Sequence, residues 1–321
     1  MKRFFTVARI VASVGILAYL LARIGFVTAY ENLISSDLTF LLAGMLVLAC
    51  QPIIGAVRWI VILNALDEPY PPAQVVRWNY VGTFFGQILP ATVGADAIRI
   101  WLAGRNESSW RVPLVSVALD RVLMLLVLAL MLLLGLPYVS RMIDTPWIGY
   151  FVPIFALLGV VGVICLAFSD RLPIDYERHR GLKAIRYLAE GTRRLLASPL
   201  ALSLALGISV VSYLGLMTSV FFFARAFGAT AGFFETMILL PPVLVASMLP
   251  VSIGGWGTRE LAMVAALSLV GISESSALLS SMWLGISSIL ISLPGAFYFV
   301  FQRMDLHEIT HSEIPMDIDD D

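Results

Sequence analysis

Apolar residues in this chain come in long blocks rather than in the stripe of a helix half-exposed to water. Six blocks reach the roughly 20 residues that a helix needs to cross a hydrocarbon layer. They are residues 5–26, 38–63, 113–136, 148–168, 199–223 and 275–301. Two further apolar regions are interrupted: 73–104 by "LPATVG", and 233–270 by "PP" and then "LPVSIGGWG". Each half is about 16 residues or fewer, or about 24 Å of helix at 1.5 Å per residue. That is short of a hydrocarbon thickness of about 30 Å. Short half-helices around a Gly/Pro elbow predict re-entrant or broken hairpins. The expected fold class is all-α and polytopic, with about six full spans plus two such hairpins.

Composition agrees with this pattern. The chain is 59% hydrophobic and 13% charged, where a soluble domain carries about 25% charged residues. One core cannot bury so much apolar surface, so lipid must cover the rest. Cys50 and Cys165 both fall in apolar runs and read as buried, inert thiols. His179, His307 and His311 are scattered through polar segments and belong to no metal or catalytic pattern. No P-loop, dinucleotide fingerprint or nucleic-acid module is present, so neither a cofactor nor a nucleic-acid partner is expected. No convincing catalytic constellation marks the chain as an enzyme. The basic start and apolar run of residues 1–26 lack a cleavage pattern and predict a retained first span.

Lys and Arg set the orientation. Residues 1–9 hold Lys2, Arg3 and Arg9, and 98–111 hold Arg99, Arg105 and Arg111. The segment 169–198 holds Arg171, Arg178, Arg180, Lys183, Arg186, Arg193 and Arg194, whereas 27–37 holds none. Rich and poor loops alternate, which predicts a multi-pass protein of the cytoplasmic (inner) membrane with both termini cytoplasmic. The amphipathic "GLKAIRYLAEGTRRLLASP" in the large basic loop either lies on the cytoplasmic lipid surface or is a solvated topogenic loop. Residues 1–303 then form one membrane domain, and 304–321 form an acidic, disordered tail.

The two elbows resemble each other. "LPATVGADAIR" (89–99) lies 160 residues before "LPVSIGGWGTR" (249–259), and Leu, Pro, Gly and Arg coincide at four of eleven positions. The same offset lays 38–63 over 199–223 and 113–136 over 275–301. Repeat one thus covers about 38–140 and repeat two about 198–301. Charge alternation makes the copies point in opposite directions. Such an inverted-topology repeat places a transporter's site at the repeat interface near the midplane, although duplication also leaves symmetry in channels and scaffolds.

Ionisable residues in apolar runs supply the candidate chemistry. At the first elbow Gly94 lets the backbone approach a ligand, Asp96 is placed to cap the helix that follows, and Arg99 offers a fork suited to phosphate. The second elbow has Gly254, Gly255 and Trp256, then Arg259 and Glu260. Asp120 and Arg121 are adjacent and so face different directions on a helix. Each needs a partner elsewhere. The alternative for all of these is plain internal ion pairing, Asp96 with Arg99 and Glu260 with a neighbour. Arg58, late in its span, is expected to snorkel to the cytoplasmic surface. Arg225 and Glu235 read as ordinary loop charges.

With these residues in place, the chain resembles the lysylphosphatidylglycerol synthetase/flippase transmembrane-region family. The likeness rests on "LPATVGADAIR", on "LDR" at 119–121 and on "IGGWGTRE" at 253–260. Ala95 stands where the family often has a second glycine, which implies a slightly stiffer elbow. The resemblance implies movement of an anionic or polyprenyl-type lipid, or its head group, between leaflets. It also implies roles for Asp96, Arg99, Asp120, Arg121, Arg259 and Glu260. Aminoacyl transfer belongs to a soluble domain of longer relatives and is not expected here. The alternative is a membrane-embedded enzyme, or an assembly partner that recruits a cytosolic lipid-modifying transferase for lipid glycosylation.

Overall fold

A computed structural model describes residues 15–16, 18–20, 22, 26–88, 92–105, 110–142, 146–171, 180–248 and 255–301. The basic start with Lys2, Arg3 and Arg9, the elbow residues 89–91 and 249–254 (Gly254 among them), His179 and the acidic tail lie outside the described residues.

The described elements are helical: α1 Phe26–Ile34, α2 Leu38–Ala49, α3 Gln51–Ala65, α4 Pro72–Ile88, α5 Thr92–Gly104, α6 Arg111–Met142, α7 Pro146–Phe168, α8 Arg180–Ala197, α9 Pro199–Ala226, α10 Phe233–Met248, α11 Thr258–Ser268 and α12 Glu274–Phe301. Among the described residues, four helices are long and apolar enough to cross a membrane: Leu38–Ala65 (α2 and α3 together), Arg111–Met142, Pro199–Ala226 and Glu274–Phe301. They correspond to four of the six predicted spans. The predicted span 148–168 forms the 23-residue α7, and 5–26 lies largely outside the described residues. Leu46, Leu134, Leu200, Phe234, Phe297 and Phe301 stand exposed on the exterior. An apolar surface of that kind belongs in lipid. Cys50 and Cys165 are also exposed, which corrects their reading as buried. The chain is an all-α polytopic membrane protein.

The predicted span 38–63 is not continuous. It breaks at Cys50, and Pro52 opens the next helix. Proline has no N–H to donate and ends the preceding helical ladder. The Leu48 carbonyl, which a residue 52 N–H would otherwise serve, accepts from the Cys50 N–H, and the Pro52 carbonyl accepts from Asn79 Nδ2 of α4 at 2.7 Å.

The α2–α3 rod lies antiparallel to α9, as a ladder of contacts shows. At one end the backbone N–H of Asp37 donates to Ala226 O (3.0 Å). Further along, Gly44 sits against Phe223 and Ser219. Midway, Ser212 Oγ donates to Gln51 Oε1 at 2.8 Å. At the far end Ile62 and Ala205 share an apolar cluster. Gly44 and Gly215 let the rods close, because a Cβ on either would fall 2.5 Å or less from a side chain of the other.

The remaining long helices take opposite directions. α6 starts at the Leu66 end, where Gly191 of α8 touches Val115, Leu66 and Leu119. α12 starts at the Asp37 end, where Ser276 Oγ donates to Phe227 O at 2.6 Å. The short pairs follow from this. α4 and α5 leave from and return to the Leu66 end, between α3 and α6. α10 and α11 leave from and return to the Asp37 end, between α9 and α12. Each pair packs on the long helix of the other half: α4 on α12, and α10 on α6. Gly295 of α12 lies against the backbone of Tyr80, and Gly135 of α6 lies against Ile238. These glycines are themselves 160 residues apart.

Candidate functional site

Five ionisable side chains from three helices meet beside α4. Arg58 comes from α3, Asp96 and Arg99 from α5, and Asp120 and Arg121 from α6. Asp120 is 2% exposed. It accepts from Arg58 Nε at 2.5 Å and Arg99 Nη1 at 3.0 Å. Arg121, on the next position of α6, points about 100° away and grips Asp96 instead. Its Nε and Nη2 donate to the two Asp96 oxygens at 2.6 and 2.9 Å. Arg99 Nη1 is also 3.7 Å from Asp96 Oδ1. Three guanidiniums thus face two carboxylates, and one positive charge is left over.

The neighbours explain why Arg99 can lie so deep. The Trp59 ring covers its guanidinium, with Cζ 4.2 Å from the ring centroid. Trp59 is held in turn by its Nε1 donating to Ser116 Oγ at 3.0 Å. Gly82 of α4 makes room for the stem, since a Cβ there would come within 2.7 Å of Arg99 Cγ. Gly86 does the same for Ala95: a Cβ on Gly86 would lie 3.0 Å from the Ala95 methyl. Among the described residues Arg99 Nε and Nη2 have no hydrogen-bond partner. Arg121 differs, with 47% of its side chain exposed.

Two sequence expectations are corrected here. Arg58 does not snorkel; it is buried and is one of the two partners of Asp120. Asp96 does not cap a helix, because α5 begins at Thr92 and Asp96 is already inside it. Gly94 is partly buried in the first turn of α5. Trp59 escaped the sequence reading because an aromatic near a helix end reads as part of an interfacial belt.

The second elbow is built differently. Gly255 and Gly257 have φ of +80° and +94°, a left-handed region that favours glycine. Glu260 is 0% exposed and accepts the Gly257 N–H at 2.6 Å. Its other oxygen takes Arg259 Nη2 at 2.6 Å and Ser281 Oγ at 3.1 Å. Arg259 lies above Trp256, 4.9 Å from the ring centroid. Gly285 seats both, as a Cβ there would fall 2.6 Å from Arg259 Nη2 and from Trp256. The one acid and one base cancel, and the carboxylate is spent on closing the elbow. α11 packs on α10 and α12, and no hydrogen bond or ion pair among the described residues joins Arg259 or Glu260 to the first cluster. Among the described residues no group of His, Cys, Asp and Glu could hold a metal ion.

At the Leu66 end α8 buries Ala189, Thr192 and Leu195. Arg111 pairs with Glu190, and its Cζ lies 4.1 Å from the centroid of the Tyr187 ring. Arg194 reaches Asp67 at 3.6 Å. The amphipathic face is thus packed on α6 and α7, with Ile185, Arg186, Arg194 and Leu196 left exposed.

Residues 6–295 match the model of the family described as the lysylphosphatidylglycerol synthase TM region. The chain belongs to that family. A search of curated proteins found no match.

Proposed function

We propose that this member of the lysylphosphatidylglycerol synthase transmembrane-region family moves an anionic lipid head group between leaflets. The observation that carries the reading is the first charge cluster. It holds one uncompensated positive charge inside an apolar bundle, and Arg121 brings part of that charge to an accessible surface. A charge costs several kcal/mol at the bilayer centre, and a phosphate at Arg121 would offset it. The opposed directions of α2–α3 and α9, and of α6 and α12, support an inverted repeat with two re-entrant hairpins. That architecture suits alternating access. The positive-inside rule makes the Leu66 end, with Arg105, Arg111, Arg186, Arg193 and Arg194, the cytoplasmic one.

The test is leaflet exchange of fluorescent phospholipids in liposomes that contain the purified protein. Exchange of an anionic lipid above that in empty vesicles, and its loss in Arg121→Gln, is the expected result. Exchange equal to empty vesicles for anionic, zwitterionic and polyprenyl-phosphate lipids alike would sink the proposal.

A further inference from the structure

We infer that Asp96 is a resident stand-in for the phosphate of a monoanionic phosphodiester lipid. When that phosphate takes Arg121, the Asp96 carboxylate crosses to Arg99. This rests on reading the first cluster as a head-group site.

Three observations converge. First, Arg121 is the accessible guanidinium of the cluster, at 47% side-chain exposure against 7% for Arg58 and 6% for Arg99. Asp96 occupies its fork with both oxygens, at 2.6 and 2.9 Å. A phosphodiester uses the same bidentate geometry, so Asp96 sits where the ligand would bind. Second, Asp96 has somewhere to go. Arg99 lies one turn further along the same helix, with Nη1 already 3.7 Å from Asp96 Oδ1. Its Nε and Nη2 are buried and have no acceptor among the described residues, which is costly for charged donors. A rotation of the Asp96 side chain towards Arg99 would shorten that approach and bring a second carboxylate to the guanidinium. Third, the charges select the ligand. The cluster carries one surplus positive charge, which a phosphodiester closes to zero. A phosphomonoester, with close to two negative charges above its second pKa of about 6, leaves one negative charge in excess. The second elbow has no equivalent motion, because Glu260 cannot leave Arg259 without releasing the Gly257 N–H.

The experiment measures binding of soluble dihexanoyl lipids to the detergent-purified protein at pH 8.5. Phosphatidylglycerol supplies a phosphodiester with net charge −1, phosphatidic acid a phosphomonoester, and phosphatidylcholine a phosphodiester whose charge its own quaternary ammonium cancels. The wild type is expected to bind phosphatidylglycerol more tightly than the other two. Asp96→Asn removes the competitor at nearly constant size, and phosphatidylglycerol should then bind about tenfold more tightly. Phosphatidic acid should gain still more, since the cluster then carries two surplus charges. Arg121→Gln should lose phosphatidylglycerol binding.

A simple latch between α5 and α6 gives the opposite result, with Asp96→Asn binding phosphatidylglycerol no better than the wild type or worse. That outcome overturns the inference. If Asp96→Asn does not purify as a single species, the wild type decides alone: phosphatidic acid or phosphatidylcholine bound as tightly as phosphatidylglycerol overturns it. Leaflet exchange separates this inference from the reading beneath it. An Asp96 effect on affinity without exchange removes transport and keeps the carboxylate movement. Exchange without an Asp96 effect removes the carboxylate movement alone.

Discussion

Gly295 and Gly135 each lie where a long helix meets a short one, yet they should respond oppositely to the same substitution. In Gly295→Ala the new methyl would stand 2.2 Å from Tyr80 O, 2.5 Å from Tyr80 C and 2.9 Å from Val81 N. All three are backbone atoms of α4, so no side chain can turn aside; α4 and α12 must separate. Overpacking of this kind costs about 1–3 kcal/mol, while alanine in a helix interior gains about 0.8–1 kcal/mol over glycine. The net expectation is a loss of up to about 2 kcal/mol. In Gly135→Ala the methyl would meet Ile238 Cγ2 at 3.2 Å and Ile238 O at 3.5 Å. A side chain can yield by a few tenths of an ångström, so helix propensity decides, and the net effect is neutral or a gain of up to about 1 kcal/mol. The strain at Gly295 should also travel. α4 carries Gly82 and Gly86, which seat Arg99 and Ala95, so a retreating α4 loosens the wall of the charge cluster. Thermal unfolding of the detergent-solubilised protein, read by the surviving monodisperse fraction on size exclusion, measures both variants. Gly295→Ala should melt a few degrees below the wild type and Gly135→Ala at or above it. If Gly295→Ala melts at or above the wild type, the close packing of α4 on α12 is wrong.

Asp120→Asn should be among the most damaging single changes. It leaves Arg58 and Arg99 buried without their common anion, and breaking a buried pair costs about 3–5 kcal/mol; loss of the monodisperse peak checks this. Glu260→Gln should lower thermal stability by about 1.5–3 kcal/mol, the scale of a hydrogen bond to a charged group. It should leave the phosphatidylglycerol affinity of the first cluster unchanged, and a drop in affinity alone would show that the second elbow takes part in binding. In a variant lacking Cys50 and Cys165, Asp67→Cys should be shielded from a membrane-impermeant maleimide in intact cells while Glu31→Cys is labelled. The reverse pattern would turn the molecule over.

The long helices were legible because a span needs only an unbroken apolar run, a local property of the chain. The placement of Asp120 and Arg121 was legible for a similar reason: neighbours on a helix face apart, and both indeed take partners from other helices. What the sequence hid depended on distance. Arg58 and Asp120 are 62 residues apart, and an arginine late in an apolar run carries no mark of whether it reaches outward or inward. Asp96 was misread because its role turned on where α5 begins. A start at Thr92 instead of one turn later changes a cap into an ion-pair partner. The matched motifs also concealed a difference in chemistry. Arg99 and Arg259 align, but the first shares its acid with Arg58 across three helices, whereas the second finds it on the adjoining residue. Their surroundings are alike, Gly82 and Trp59 in one case and Gly285 and Trp256 in the other; the source of the acid is what distinguishes them.

The route by which the charge cluster is stitched together bears on how the protein is made. Arg58 emerges from the ribosome well before Asp120, and insertion scales assign a central arginine about 2.5–3.5 kcal/mol in an isolated helix. Until α6 arrives, α3 enters the bilayer with that penalty unrelieved. Synthesis must therefore hold α3 near the insertion machinery, or leave it half-seated, until its distant anion joins it. A nascent chain arrested before residue 120 should be poorly integrated and open to extraction and proteolysis, whereas one that extends through α6 should be locked in place.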